Sequence, residues 1–217
     1  MTAVEMSMSG VAPATRTRHY RWAGISGIVF GPLLVASVLS TAGLPHADKA
    51  VKVQAWTEKH TSLLTGAALL SVAGVIIGLY FLTWTHSVLS GREGNWMGTM
   101  FLVGIVIFGV AGTVSAGLNA TLGADGKHLT TGSLQLMASL EENLNYGMTC
   151  IGLAILFFAA GHLIRRSGLL PGWLAWASWT FALLAASVLL GIIALLGMVL
   201  WSIVVGVLLA VRQPVEG

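Results

Sequence analysis

Long apolar runs without a charged residue decide what this chain can fold into. Between residues 169 and 211 the sequence contains no Asp, Glu, Lys or Arg. One helix of that length would extend roughly 63 Å, about twice the ~30 Å hydrocarbon core of a bilayer. The run therefore predicts two membrane-spanning helices, joined by a tight turn at 189–193 around Gly191.

Four more apolar segments precede this hairpin, and each has the ~20 residues that a transmembrane helix needs. Of all residues, 56% are hydrophobic and 9% are charged, whereas a soluble domain carries about 25% charged residues. We therefore predict an all-α fold, a polytopic transmembrane helical bundle of about six spans over 22–211. A flexible N-terminal segment, 1–21, precedes the bundle and a short tail, 212–217, follows it. The first four spans are expected at 22–42, 63–85, 96–118 and 140–164.

The basic residues predict the orientation of the bundle, because short cytoplasmic loops carry an excess of Lys and Arg. With an even number of spans, all seven arginines fall on the side of the two termini and all four lysines fall on the other side. Both termini are therefore expected in the cytoplasm. The arginines are Arg16, Arg18, Arg21, Arg92, Arg165, Arg166 and Arg212, and the lysines are Lys49, Lys52, Lys59 and Lys127.

Tryptophans and glycines indicate how the helices meet the membrane and each other. The connection 47–60 places Trp56 among charged residues, which suits either a short interfacial helix or an ordinary polar loop. Tryptophans near span ends, such as Trp201, predict an aromatic belt at the membrane surfaces. The Gly-x-x-x-Gly motifs at 27–31 and 74–78 favour close helix packing within the chain, with a homo-oligomer as the alternative.

The outer end of span four carries the strongest concentration of polar residues near a membrane span. At helical spacing Glu142, Asn145, Tyr146 and Thr149 lie on one face, because residues three, four and seven apart are neighbours. Asn119, at the outer end of span three, is expected nearby. These five residues are the predicted ligand-binding site.

The neighbouring acids Glu141 and Glu142 also have a purely structural explanation. If a helix begins at Ser139, residues 139–142 match a capping box, in which an acidic side chain bonds a free backbone amide of the first turn. If the helix begins near Ser133, this explanation fails. In the ligand-site interpretation, Glu142 faces the bundle interior and Glu141 faces the rim.

The histidines offer only weak metal or cofactor sites. His46, His60 and His128 are expected outside the membrane but lack the spacing of a metal site, so we predict no metal. His86 and His162 end spans on the inner side, where we expect interfacial histidines rather than haem ligands; no cofactor is predicted. The basic residues form no patch with interleaved aromatics, which argues against nucleic-acid binding.

The segment that follows span four resembles a known family. It reads Gly161-His162-Leu163, then Arg166-Ser167-Gly168-x-x-Pro171, then Trp173-Leu174. A bacterial family of six-helix membrane proteins, catalogued only as a domain of unknown function, has a similar small-His-Leu helix end, Arg-Ser-Gly-x-x-Pro loop and Trp-Leu-rich fifth helix. The entry at 21–24 and the closing run at 200–206 are similar too. The resemblance implies a six-helix bundle in a bacterial plasma membrane, and it implies no activity.

We predict a multi-pass membrane protein that binds a lipid or another membrane protein in a sensing or accessory role. The sequence has no Gly-x-Ser-x-Gly and no His-Glu-x-x-His, so catalysis is not the leading expectation. The first alternative is an intramembrane enzyme that acts on a lipophilic, isoprenoid-like substrate by acid catalysis, with Glu142 as proton donor and Tyr146 as an orienting group. The second is a facilitator or transporter, which the lack of charges in the middle of the spans disfavours.

Overall fold

The structure of the protein is a computed structural model whose described part comprises residues 13–41, 44–45, 50–90, 96–126, 128–187 and 191–211. Within these ranges every regular element is helical. The described residues form eight α-helices and one short π-helical segment. They are α1 (Pro13–Thr41), α2 (Ala50–Lys59), α3 (Thr61–Leu89), α4 (Trp96–Asp125), α5 (Thr131–Asn143), the π segment (Leu144–Met148), α6 (Thr149–Ser167), α7 (Gly172–Ala186) and α8 (Gly191–Val211).

Six of these helices, α1, α3, α4, α6, α7 and α8, form a closed ring in which each helix contacts the next. Neighbouring helices run in opposite directions. Gly27 of α1 lies against Phe81 of α3, for example, whereas Phe30, further along α1, lies against the earlier Gly78. The ring is therefore an up-and-down bundle, the arrangement that short connections favour.

The last helix closes the ring on the first. The backbones of Gly24 in α1 and Gly206 in α8 touch, and Ala210 also lies against Gly24. We call the end of the bundle that holds these residues the terminal end, and the opposite end the capped end. The start of the apolar part of α1 and the finish of α8 thus lie at the same end.

Within the described ranges, five helices are long and apolar enough to cross a membrane. They contain the stretches Tyr20–Thr41, Thr61–Leu89, Trp96–Asp125, Thr149–Ser167 and Ile193–Val211. Helix α7 is apolar but has 15 residues, so it is about 22 Å long. The predicted all-α helical bundle is confirmed, and several of its helices have the length and composition that a membrane span needs.

The uncharged run from 169 to 211 forms two antiparallel helices, as predicted. Ser178 of α7 faces Trp201 of α8, and Phe181 lies against Gly197. Helix α7 ends at Ala186 and α8 begins at Gly191. Residues 189 and 190 of the predicted turn lie outside the described residues.

Aromatic side chains fill the middle of the ring. Phe30, Phe81, Phe101 and Phe157 are buried, and Trp201 packs edge-on against two of these phenylalanines. The prediction that Trp201 belongs to an aromatic belt is wrong, because it is 1% exposed and its Nε1 donates a hydrogen bond to Ser178 Oγ at 3.0 Å. A buried indole requires such a partner, and Ser178 supplies it within the core.

Glycines set the distance between neighbouring helices. A Cβ at Gly104 would lie 2.7 Å from the backbone nitrogen of Leu156, and one at Gly78 would meet the Phe30 ring at 2.5 Å. In a bilayer, helices associate mainly through such close packing rather than through the hydrophobic effect. Packing of the motifs at 27–31 and 74–78 within the chain is confirmed, since each of their glycines meets another helix of the same chain.

Two short helices, α2 and α5, pack against each other over the capped end. Val53 of α2 and Leu134 of α5 share a small buried cluster with Leu64 and Leu122 from the tips of α3 and α4. Within the connection 47–60, Ala50–Lys59 therefore forms a helix rather than a loop, and residues 47–49 lie outside the described residues. Trp56 packs against this cluster and stacks on His60 with 4.5 Å between ring centroids.

The helix that leads into span four begins earlier than its apolar pattern suggests. Thr130 caps α5, and its Oγ1 accepts a hydrogen bond from the Ser133 backbone amide at 3.2 Å. The capping-box explanation at 139–142 is therefore wrong, because Ser139 lies inside α5. The π segment then separates α5 from α6.

Candidate functional site

A buried carboxylate lies where α5 meets α4. The Glu141 side chain is 3% exposed. Its Oε1 accepts hydrogen bonds from Ser115 Oγ at 2.7 Å and from Asn119 Nδ2 at 3.2 Å. The two donors are four residues apart and therefore lie on one face of α4. A buried carboxylate costs several kcal/mol unless such partners compensate for lost water, so both α4 side chains stabilise this arrangement.

The long α4 makes this site possible. It continues beyond the predicted end at 118 to Asp125, through Gly123. The helix continues through Gly123. The missing side chain at this position lets α4 approach Thr65 of α3, since a Cβ there would lie 2.8 Å from Thr65 Oγ1. Asn119 is therefore held in a regular helix and is 1% exposed.

The prediction of which glutamate faces the interior is wrong. Glu141 is buried, whereas Glu142 is partly exposed. Because α5 begins at Thr131, its buried face follows Leu134, Ala138 and Glu141, at spacings of four and three. Helical periodicity places Glu142 on the buried face only if one uninterrupted α-helix begins at residue 140.

The π segment also contributes to the change of the buried position from Glu142 to Glu141. A π-helix has backbone bonds from i to i+5 and adds one residue to a helical turn. Here the Thr149 backbone N–H donates to the Leu144 carbonyl, and Thr149 Oγ1 donates to the same carbonyl at 2.9 Å. Glu141 and the buried Thr149 are eight residues apart. With the extra residue of the π segment they lie on the same face, as two residues seven apart do in a regular α-helix. The side chains of Asn145 and Tyr146 lie outside the described residues, so their predicted places at the site stay predictions.

Asn119 carries an acceptor that the described residues do not satisfy. Its Nδ2 donates to Glu141, but its buried Oδ1 has no hydrogen-bond partner among them. Most buried polar atoms in proteins have a partner, including water. The site thus combines a carboxylate and an amide oxygen, and it suits a group that donates hydrogen bonds.

The structure brings together only part of the predicted site. Asn119 contacts Glu141, and Thr149 is buried beside the π segment, whereas Glu142 is partly exposed. The sequence placed Ser115 near the site together with Asn119, but it predicted Glu142 rather than Glu141 for the interior. The signal that finds Glu141 is the spacing Leu134, Ala138, Glu141, which is visible only once the start of α5 is known.

The histidines are distributed around the bundle. His60 Nδ1 lies 2.8 Å from the Trp56 carbonyl in the cap, and His128 is exposed; His46 lies outside the described residues. His86 stacks on Phe101, and His162 Nδ1 accepts from Trp179 Nε1 at 3.2 Å. Among the described residues no three His, Cys, Asp or Glu side chains are grouped as a metal would require.

Comparison of the chain with protein-family models, with curated proteins and with solved structures found no match. The resemblance to the six-helix family therefore stays a prediction. What the protein does has to be inferred from the chemistry of the Glu141 site and from the bundle around it.

Proposed function

We propose that this chain is a six-span plasma-membrane protein that binds a lipid, or a segment of a membrane partner, in a sensing or accessory role. The binding site is the Glu141 carboxylate together with Asn119 and Ser115. The ligand presents a hydrogen-bond donor, as a hydroxyl or an ammonium group, to the oxygens of Glu141 and Asn119. The observation that carries this proposal is the buried Glu141, whose Oε1 is held by Ser115 and Asn119, beside the unsatisfied Asn119 Oδ1.

The position of the site suits a lipophilic ligand. Ser115 lies about 28 Å along α4 from Trp96, since a helix rises 1.5 Å per residue. With Trp96 at one membrane surface, the site lies near the other edge of a ~30 Å hydrocarbon core. A lipid bound there would keep its chains between the helices and its polar end at Glu141.

Six spans and cytoplasmic termini are part of the same proposal. Helix α7 is antiparallel to both α6 and α8, so a bilayer that contains its two neighbours contains α7 as well. The arginines at the terminal end, such as Arg165 and Arg166, favour the cytoplasmic side. The short α7 fits if its ends are wetted by interfacial groups or if the bilayer is locally thin.

The test is native mass spectrometry of the full chain, gently extracted from its membrane. We expect the wild-type protein to retain a small molecule or lipid, and Glu141→Gln to lose it while the protein remains folded. Glu142→Gln, which changes the neighbouring acid in the same way, should retain it. Absence of any retained molecule in the wild type, or equal retention in the two variants, would contradict the proposal.

A second candidate function, intramembrane acid catalysis, is favoured by one observation, the enclosure of a carboxyl group next to the α2–α5 cap. In this candidate Glu141 takes the proton-donor role that the sequence suggests for Glu142. The same mass spectra separate the two functions. A binding protein returns its ligand unchanged on incubation with lipid extract, whereas an enzyme converts a lipophilic substrate into a product that Glu141→Gln does not form.

A further inference from the structure

An exposed guanidinium is held on an indole at the terminal end, where α6 meets α7. Arg165 lies in the last turn of α6, and its Cζ is 5.9 Å from the centroid of the Trp179 ring. This distance is within the range of a cation–π interaction. The guanidinium is thus positioned by an aromatic face while its side chain remains exposed.

Trp179 is itself fixed by three neighbours. Its Nε1 donates a hydrogen bond to His162 Nδ1 at 3.2 Å, and Trp176 packs edge-on at 5.1 Å and 90°. Gly161 lets the indole lie directly on α6, because a side chain there would collide with it. Since His162 Nδ1 accepts this bond, its 3.2 Å approach to the Phe158 carbonyl is a contact rather than a second hydrogen bond.

This rigid support matters for anion binding. A guanidinium that is already oriented loses less side-chain entropy when it binds, and its planar donors match a phosphate in two-point contact. An arginine that moved freely in solvent would have to pay that ordering cost. Arg165 is therefore better prepared for a phosphate than an ordinary surface arginine.

The surface around Arg165 combines charge with aromatic area. Trp173 and Trp176 are 58% and 64% exposed, and Arg166 is exposed beside Arg165. Exposed indoles at the end of a membrane helix lie at the level of headgroups and glycerol. Basic residues at this level attract anionic lipids.

We propose that Arg165, held on Trp179, binds the phosphate of an anionic phospholipid whose glycerol and upper acyl carbons lie against Trp173 and Trp176. This proposal and the proposed function have one assumption in common, that the bundle lies in a membrane. It does not depend on Glu141, which is at the capped end. The competing explanation is structural: basic residues in a last helical turn stabilise the helix dipole, and this role predicts no headgroup preference.

The experiment uses the purified full chain in a neutral detergent. Phosphatidylglycerol and phosphatidylcholine with identical acyl chains are added separately, and bound lipid is counted by native mass spectrometry. We expect the wild type to prefer phosphatidylglycerol and Arg165→Gln to bind it roughly tenfold or more weakly, as loss of a hydrogen-bonded charge predicts. Lys52→Gln, which removes one exposed positive charge from α2 at the capped end, should leave the preference unchanged.

Further variants separate geometry from net charge. Arg165→Lys keeps the charge but loses the planar donors, so we expect it to weaken phosphatidylglycerol binding clearly but less than Arg165→Gln does. If Arg165→Gln does not fold, the comparison of Arg165→Lys with the wild type tests the proposal. The proposal is overturned if the wild type shows no headgroup preference, or if Lys52→Gln weakens binding as much as Arg165→Gln does. It is also overturned if excess inorganic phosphate displaces the lipid, because the site would then bind free phosphate rather than a membrane lipid.

Discussion

Glu141 shows how an acidic side chain can be buried in an apolar bundle without unfolding it. Two donors from a neighbouring helix, Ser115 and Asn119, converge on one carboxylate oxygen. The interaction is reciprocal, because the Asn119 amide is buried and needs the carboxylate as much as the carboxylate needs the amide. Removal of the acceptor therefore leaves buried donors without partners, which is more costly than the loss of an exposed hydrogen bond.

We predict that Glu141→Ala lowers the free energy of unfolding by about 1–3 kcal/mol, the usual cost of a buried polar group left unsatisfied. Glu142→Ala, at a partly exposed position, should change it by less than ~0.5 kcal/mol. Circular dichroism during thermal unfolding in detergent measures both. An equal loss of stability in the two variants would mean that the exposure of the two acids is not as described here.

At the scale of helices, small residues determine which elements lie next to each other. Along α4, Gly104 contacts the backbone of Leu156 in α6, whereas Gly117 has no neighbour within 4 Å of an added Cβ. The same residue type thus has opposite consequences on one helix. Glycine is costly in a helix interior, so its presence at Gly104 indicates a position where close approach outweighs that cost.

We expect Gly104→Ala to destabilise the bundle by about 1–3 kcal/mol, because the new methyl group must push α4 and α6 apart. Gly117→Ala should be neutral or stabilising by up to ~1 kcal/mol, as alanine has the higher helix propensity. Melting temperatures of the two variants in the same detergent make the comparison. A stabilised Gly104→Ala would show that α4 and α6 are not packed backbone to backbone.

At the scale of the whole molecule, the closed ring places the start of α1 and the end of α8 at one end and the α2–α5 cap at the other. The proposed orientation then puts the cap and the Glu141 site outside the cell and the Arg165 surface inside. An anionic phospholipid at Arg165 and a lipophilic ligand at Glu141 would bind opposite leaflets.

Impermeant thiol labelling of intact cells tests this orientation. In a Cys150→Ser background, a cysteine at Asp125 in the exposed tip of α4 should be labelled, and one at Leu169, exposed after α6, should not. Both positions should label once the membrane is opened. Labelling of Leu169→Cys alone in intact cells would reverse the topology, and labelling of both would mean that the chain does not separate these ends by a bilayer.

Much of the fold follows from the sequence alone, because the bilayer imposes a simple rule. Apolar runs such as 169–211 must become helices of limited length, so the existence and order of the membrane helices need no tertiary information. The division of 169–211 into two helices follows from length in the same way. The aromatic and glycine content likewise indicates close helix packing without naming the partners.

The tertiary structure decided which residues meet. Trp201 lies in the core rather than at the predicted membrane surface, because Ser178 of α7 provides a hydrogen-bond partner for its indole. Glu141 is buried instead of Glu142 because two features, the start of α5 at Thr131 and the extra residue of the π segment, change the helical phase by one position. Periodicity assumes one regular helix, and it fails where the helix begins earlier than its apolar pattern or contains a π segment. The residue types of the site were visible in the sequence, but its geometry depends on contacts between segments that are far apart in the chain.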